Sequence, residues 1–225
     1  RLKYAPFPVV GAPSGMALGG GCEVLLHCDA IEAHAETYIG LVEAGVGIVP
    51  GWGGCKELLG RWSATKDRPG GPMPPVMKGF EPIAMAQVAT SAMEARDFLY
   101  LRPADNVVMN QDRVLAAAKA RALKLAEGYS PPEPYELHLP GPTGQTALDL
   151  GVRDFINKGG ASPHDGVIAH ELAFVLSGGN TDAQEPVSED QLLRLERDVN
   201  LRLARTPKTL ARVEHMLKKG KPLRN

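Results

Sequence analysis

The apolar positions of this chain fall into two regimes. Up to about Gly60 they come in short runs cut by glycine and proline. Beyond Gly144 they recur at helical spacing, with polar residues between them. "FPVVGAP" (7–13) is an apolar run bounded by prolines and predicts a strand leading into the turn "PSG". "GGCEVLLHCD" predicts a helix that begins at its glycines. Val24, Leu25, Leu26 and Cys28 make it apolar on most sides, as a buried helix is. "AIEAHA" (30–35) alternates and predicts a second strand. "GCKELLG" predicts a short helix ending at Gly60. Strand, helix, strand, loop and helix at this pace predict an α/β layered domain.

Residues 62–79 are rich in proline and glycine and predict an irregular or mobile surface segment. "SAMEARDFLY" opens with a capping box, Ser91 with Glu94. Residues 104–112 have room for one short strand. The stretch from Asn110 to Gly128 predicts a helix of high propensity with an apolar stripe through Val114, Ala118 and Leu125. Residues 129–144 read as an extended, proline-stiffened linker. Only helices are expected after it. One covers about 145–157. The next is capped by Ser162, with Pro163 at its first position and Asp165 in its first turn. A third has Ser188 and Gln191 as its capping box. The last is capped by Thr206, with Pro207 first and Gly220 as its stop. Such a tail reads as packing and assembly material. The predicted organisation is a domain over 1–128, a linker over 129–144 and a helical region over 145–225.

Composition narrows the function. Twenty-five basic residues face 26 acidic ones, for a net charge of -1. That balance gives no case for nucleic acid or an anionic membrane as the main partner. No apolar run is long enough to span a bilayer. The start is too broken by proline for a secretory signal, which points to the cytoplasm. It is also not methionine, which suggests a piece of a longer chain. Cys22, Cys28 and Cys55 are an odd number of cysteines and argue against a disulfide framework. Cys22, His27, Cys28 and His34 match no common zinc spacing and read as packing residues, so no metal is expected. The six histidines stand in no nucleophile motif.

The chemistry concentrates at "ALGGGCE". A helix whose first turn is glycine presents bare N–H groups at its positive end. Gly19, Gly20 and Gly21 therefore read as a cradle for an oxyanion, with no side chain to hold a substrate away. Glu23 lies in the first turn of the same helix. Glu43 sits among apolar residues and glycines, where desolvation is expected to raise its pKa. One ionised and one protonated acid can activate a water and deliver a proton. The plainer alternative makes Glu23 a helix-end carboxylate and Glu43 a solvated loop residue.

At this point the sequence resembles a known family. "GMALGGGCE", the following "CD" and "EAGVGIVPGWGG" are together similar to the core of the crotonase superfamily, the enoyl-CoA hydratases and isomerases. The likeness runs from about Phe7 to Gly60. It implies a partial crotonase-like β-α-β core followed by a mainly helical C-terminal region. It also implies that Glu23 and Glu43 hold the water added across a double bond, and that the Gly20 amide is one half of the oxyanion hole. Gly19, Gly21, Gly51 and Trp52 become substrate-binding positions. "GWGGCKELL" departs from the family's "GAGGTQRL"; bulky Trp52 beside a glycine pair leaves acyl chain length open.

Residues 80–123 and the ending "TPKTLARVEHMLKKGKPLRN" resemble the C-terminal portion of long multifunctional 3-hydroxyacyl-CoA dehydrogenases. The resemblance implies a fragment of a fatty-acid β-oxidation enzyme. Its parent would hydrate trans-2-enoyl-CoA and oxidise 3-hydroxyacyl-CoA with NAD. A non-catalytic acyl-CoA-binding or assembly domain is the alternative. The family's second oxyanion amide belongs to an earlier stretch with no counterpart after Arg1, so the isolated fragment is expected to be inactive. No G-x-G-x-x-G fingerprint occurs. NAD is therefore expected only outside this chain, whose own ligand would be an acyl-CoA thioester. A homo-oligomer is possible in such a family.

Overall fold

Gly11 is closely approached: a Cβ there would lie 2.7 Å from Leu25 Cδ2, so that side chain would have to shift. That close approach seats strand β1 (Val10–Gly11) against helix α1 (Gly20–Leu26). The computed structural model describes residues 1–67 and 69–225. Arg68, within the proline- and glycine-rich stretch 62–79, lies outside the described residues. The chain folds as two units, Arg1–Leu41 with Val88–Pro134, and Val42–Gln87 with Tyr135–Asn225.

The first unit holds the predicted β-α-β order. β3 (Ala30–His34) pairs in parallel with β1, Val10 opposite Ala30 and Gly11 opposite Ile31. β5 (Asn106–Val108) pairs in parallel on β3's other side, Glu32 opposite Asn106. The pattern did not give β2 (Met16–Leu18) and β4 (Tyr38–Gly40), which pair in parallel as a separate two-stranded sheet. Both are too short for alternation to register. Helix α4 (Ala92–Asp97) follows, and helix α5 (Val114–Ala126) packs on β1 and β3. Leu25, Leu26, Ile31, Ala33, Ile39 and Val114 form the core.

A polar clasp holds the ends of the strands at which β1, β3 and β5 begin. Asp105, buried, accepts from the Ile31 N–H at 2.9 Å and the Arg102 N–H at 2.7 Å. Arg102 Nη2 donates to the carbonyls of Cys28 at 3.0 Å and Asp29 at 2.8 Å. Asp29 in turn accepts from the Val9 N–H and the Tyr129 hydroxyl. Burial first, and Asp29 second, push the Tyr129 phenol up to about 12.

Helices dominate the second unit. It opens with a 3-10 turn, Glu43–Val46, then α2 (Gly54–Ser63) and α3 (Met73–Ala84). The stretch read as irregular is therefore helical at both ends. Pro74 and Pro75 sit in the first turn of α3, where proline removes no needed N–H. The stretch read as an extended linker holds strand β6 (Glu136–His138). Helix α6 (Gly141–Asn157) starts ahead of Gln145, and α7 (Pro163–Leu176) follows. The expectation of helices alone then fails at β7 (Pro186–Ser188), which pairs antiparallel with β6, Leu137 opposite Val187. Proline at the strand's start hid it. Helices α8 (Glu189–Ala204) and α9 (Pro207–Lys219) close the unit. Leu172, Ala173, Val175 and Leu176 put α7 at its centre.

The predicted caps at Ser162, Ser188 and Thr206 form, and the first two are complete capping boxes. The box expected at Ser91 forms by half. Ser91 accepts from the Glu94 N–H, while the Glu94 carboxylate reaches one residue further, to the N–H and hydroxyl of Thr90. The helix expected from Asn110 begins as a 3-10 turn, Gln111–Arg113. Ser188→Ala removes the bonds that start α8 and is expected to lower the stability of the second unit by about 1 kcal/mol. Chemical denaturation followed by fluorescence checks this; an unchanged midpoint would count against it. Among the described residues no helix is long and apolar enough to cross a membrane.

Candidate active site

The glycine run and Glu23 belong to the first unit. Gly19 adopts φ 54° and ψ -125°, a conformation that glycine alone takes without strain. Its N–H donates to the Gly40 carbonyl at 2.8 Å, which ties the start of α1 to β4. Gly20 and Gly21 form the first turn, so helix geometry directs their N–H groups out of the N-terminus. A Cβ at Gly21 would meet nothing within 4 Å, so the protein's own packing does not require glycine there. Two residues on, Glu23 is buried in the same helix, and its N–H bonds the Gly19 carbonyl at 3.0 Å. Its own carbonyl accepts from His27 Nδ1 at 2.7 Å, so His27 serves the end of α1. Cys22, Cys28 and Cys55 are buried. Among the described residues, no group of three or more His, Cys, Asp or Glu is placed to hold a metal ion.

Glu43, Gly51 and Trp52 belong to the second unit. Glu43 is buried at the first position of the 3-10 turn. The turn ends at Gly47, whose φ of 94° favours glycine. Three side chains from α8 and α9 hold the backbone that follows. Thr209 Oγ1 donates to the Gly47 carbonyl at 2.8 Å. Asn200 Nδ2 donates to the Val49 carbonyl at 2.6 Å. The Glu196 carboxylate accepts from the N–H groups of Gly53 and Lys56, each at 2.7 Å, and so caps α2. Lys56, also buried, pairs with Glu57 and with Glu189.

Gly51 is glycine for a reason inside its own unit, since a Cβ there would lie 2.6 Å from Asn200 Nδ2. Trp52 is 75% exposed. It borders an open cleft of about 490 Å³ shared with Gly51, Asp190, Leu193, Arg194 and Arg197. The structure thus groups Gly19, Gly20, Gly21 and Glu23 on one helix start. It groups Glu43, Gly51 and Trp52 on one loop. Sequence reasoning missed Glu196, Asn200 and Thr209. A signal was present for Glu196, a carboxylate between Leu192 and Val199 at the spacing of the buried stripe of α8.

Residues 1–62 match the family described as Enoyl-CoA hydratase/isomerase. Over its whole length the chain is 46% identical to a Bacillus subtilis protein named "Probable 3-hydroxyacyl-CoA dehydrogenase", of which it covers 28%. Over 58 residues, 26% of the chain, it is 50% identical to the "Fatty acid oxidation complex subunit alpha" of Idiomarina loihiensis, covering 8% of that protein. The chain therefore spans about a quarter or less of the length of these curated relatives. The crystal structure of carnitinyl-CoA hydratase from Mycobacterium avium aligns with 96% of the chain and 62% of its own, with a TM-score of 0.54 at 20% identity. That likeness establishes a crotonase fold.

Proposed function

We propose, from the match of residues 1–62 to the enoyl-CoA hydratase/isomerase family, that this chain carries the hydratase chemistry of a fatty-acid oxidation enzyme. Its substrate is a trans-2-enoyl-CoA thioester. Glu23 and Glu43 supply the acid and base of one hydration: the oxygen of a water adds at C3 while a proton goes to C2. The resemblance favours Glu43 as the proton donor to C2, with Glu23 steering the water. The Gly20 N–H donates to the thioester oxygen, whose negative charge is greatest in the enolate-like transition state. A donor aimed there favours that state over bound substrate and is worth roughly 3 kcal/mol.

One observation carries this reading. Glu23 is buried two residues after Gly21, on a helix whose glycine start has open space where a side chain would stand. Gly19 answers to backbone conformation and Gly51 to packing. Gly21 answers to neither, which fits close approach of a substrate. Gly21→Ala is therefore expected to leave melting unchanged or slightly raised, by up to about 1 kcal/mol. It is expected to slow crotonyl-CoA hydration by about tenfold or more by displacing the thioester. Melting and initial rates of the full-length protein check both halves. A normal rate in the alanine variant would detach the glycine run from the substrate.

In a longer protein like the B. subtilis relative, the reading adds oxidation of the 3-hydroxyacyl product with NAD by residues other than these. The residues here do not fit a dinucleotide. The run from Gly45 to Gly54 lacks the glycine spacing and forms a 3-10 turn and loop, where a strand-to-helix turn is needed. No step is assigned to NAD in this chain. Conversion of crotonyl-CoA to 3-hydroxybutyryl-CoA by the full-length protein without NAD tests the reading; absence of that conversion would refute it.

A further inference from the structure

Glu43 stands at the head of a short 3-10 turn. The turn is closed by the Gly45 N–H on the Val42 carbonyl at 3.0 Å, the Gly47 N–H on the Ala44 carbonyl at 3.1 Å and the Ile48 N–H on the Glu43 carbonyl at 3.2 Å. A single such turn has poor hydrogen-bond geometry and no cooperative length. Contacts from outside such a turn therefore bear on where its first residue is held.

Helices α3, α7 and α9 all touch that turn, and Thr209 of α9 is the residue hydrogen-bonded to its end. It lies in the first turn of α9, 1% exposed, in a position set by the Thr206 cap. Its hydroxyl donates to the Gly47 carbonyl at 2.8 Å. The fit is tight, because a Cβ on Gly47 would lie 2.7 Å from Thr209 Oγ1 and 3.1 Å from its Cα. A hydroxyl has one hydrogen. Once that hydrogen is given to Gly47, the Thr209 oxygen can only accept from its other partner, His164 Nε2, at 3.1 Å. His164 is buried on α7. The bonds therefore run in one direction, from His164 N–H to Thr209 O–H to the Gly47 carbonyl, and a chain of this kind strengthens each member.

We propose that Thr209, backed by His164, is a positioning residue for Glu43: the helical tail aims the acid through the Gly47 carbonyl. The proposal rests on Glu43 being a catalytic acid. It gives α9 a part in catalysis, where its sequence reads as packing alone. Asn200 and Glu196 hold the same loop further on, at Val49 and Gly53, so Thr209 is the clamp nearest the acid.

The test is steady-state hydration of crotonyl-CoA by the full-length protein carrying Thr209→Val, Thr209→Ser or Glu43→Gln. Valine keeps the shape and removes the hydroxyl. A misaimed acid should lower kcat by about 10- to 100-fold while KM stays nearly unchanged. Serine restores the hydroxyl and should return kcat to near normal. If the valine protein does not fold, Thr209→Ala is the second variant, with the same expected split. A folded Thr209→Val or Thr209→Ala protein with normal kcat, beside an inactive Glu43→Gln protein, would overturn the positioning role and leave the function standing. A serine variant as impaired as valine would also overturn it. Normal turnover in Glu43→Gln would overturn the function, and the proposal with it.

Discussion

Glu43→Gln is expected to cut crotonyl-CoA turnover by about 10²- to 10⁴-fold, the usual worth of a positioned acid or base. Glutamine keeps the shape and the capacity to hydrogen-bond, but carries no proton to deliver. Glu43 is buried at the head of a turn, so the change exchanges one polar side chain for another of equal size in an unchanged shell. Glu23→Gln is expected to act in the same way from the buried face of α1. Acyl-CoA binding should change little in either variant, because both roles belong to the reacting atoms and not to the remote end of the substrate. The plainer reading, with two structural carboxylates, expects stability changes of about 1 kcal/mol and near-normal hydration. Rates and melting measured on the same preparations separate the two.

The largest expected stability effect lies at Glu196. Its carboxylate is 0% exposed and accepts from two N–H groups at the start of α2, each at 2.7 Å. These are the donors a helix start leaves without intrahelical partners, and negative charge beside them is favoured by the helix dipole. Glu196→Ala removes the acceptor and strands both donors away from water. Each orphaned group costs about 1–3 kcal/mol, and hydrogen bonds to a charge stand at the upper end. The nearby Lys56, Glu57 and Glu189 cluster is fixed to the same helix start, with the Tyr135 hydroxyl bonded to the Lys56 carbonyl at 2.8 Å. The expected loss is about 3 kcal/mol. Trp52 and Trp62 are the chain's two tryptophans and both lie in the second unit, so their fluorescence during denaturation reports on it. A midpoint within experimental error of the parent chain would contradict the account of Glu196.

The sequence revealed those elements whose signals are local. Helix caps at Ser162, Ser188 and Thr206 were readable because a cap is a bond between residues three apart, and the structure forms each of them. The glycine run that starts α1 and strand β3 were readable for the same reason. Strands β2, β4, β6 and β7 were not. Each is three residues long and exists because a distant partner supplies its hydrogen bonds. The prolines of α3 suggested irregularity, since pattern alone does not distinguish proline in a first helical turn from proline in a loop.

Among the site residues, Glu23 and the glycines stood out because they are adjacent in the chain. Glu43 stood out through its apolar setting and through resemblance. The residues that hold the loop after Glu43 lie about 150 positions downstream, as in the bond from Asn200 to Val49. Nothing in the spacing of α8 and α9 relates their polar residues to that loop. Thr209 in particular reads as an ordinary first-turn threonine. Only the fold turns it toward the Gly47 carbonyl.

The central claim is that Glu23 and Glu43 work as one unit in a hydration. A double-mutant cycle on crotonyl-CoA turnover tests it most directly, with Glu23→Gln, Glu43→Gln and the pair compared in the full-length protein. Groups acting on one water lose their joint function when either is removed. The double variant should therefore lose far less than the product of the two single losses. Single losses that multiply, or a well-folded Glu43→Gln protein that turns over normally, would contradict the account.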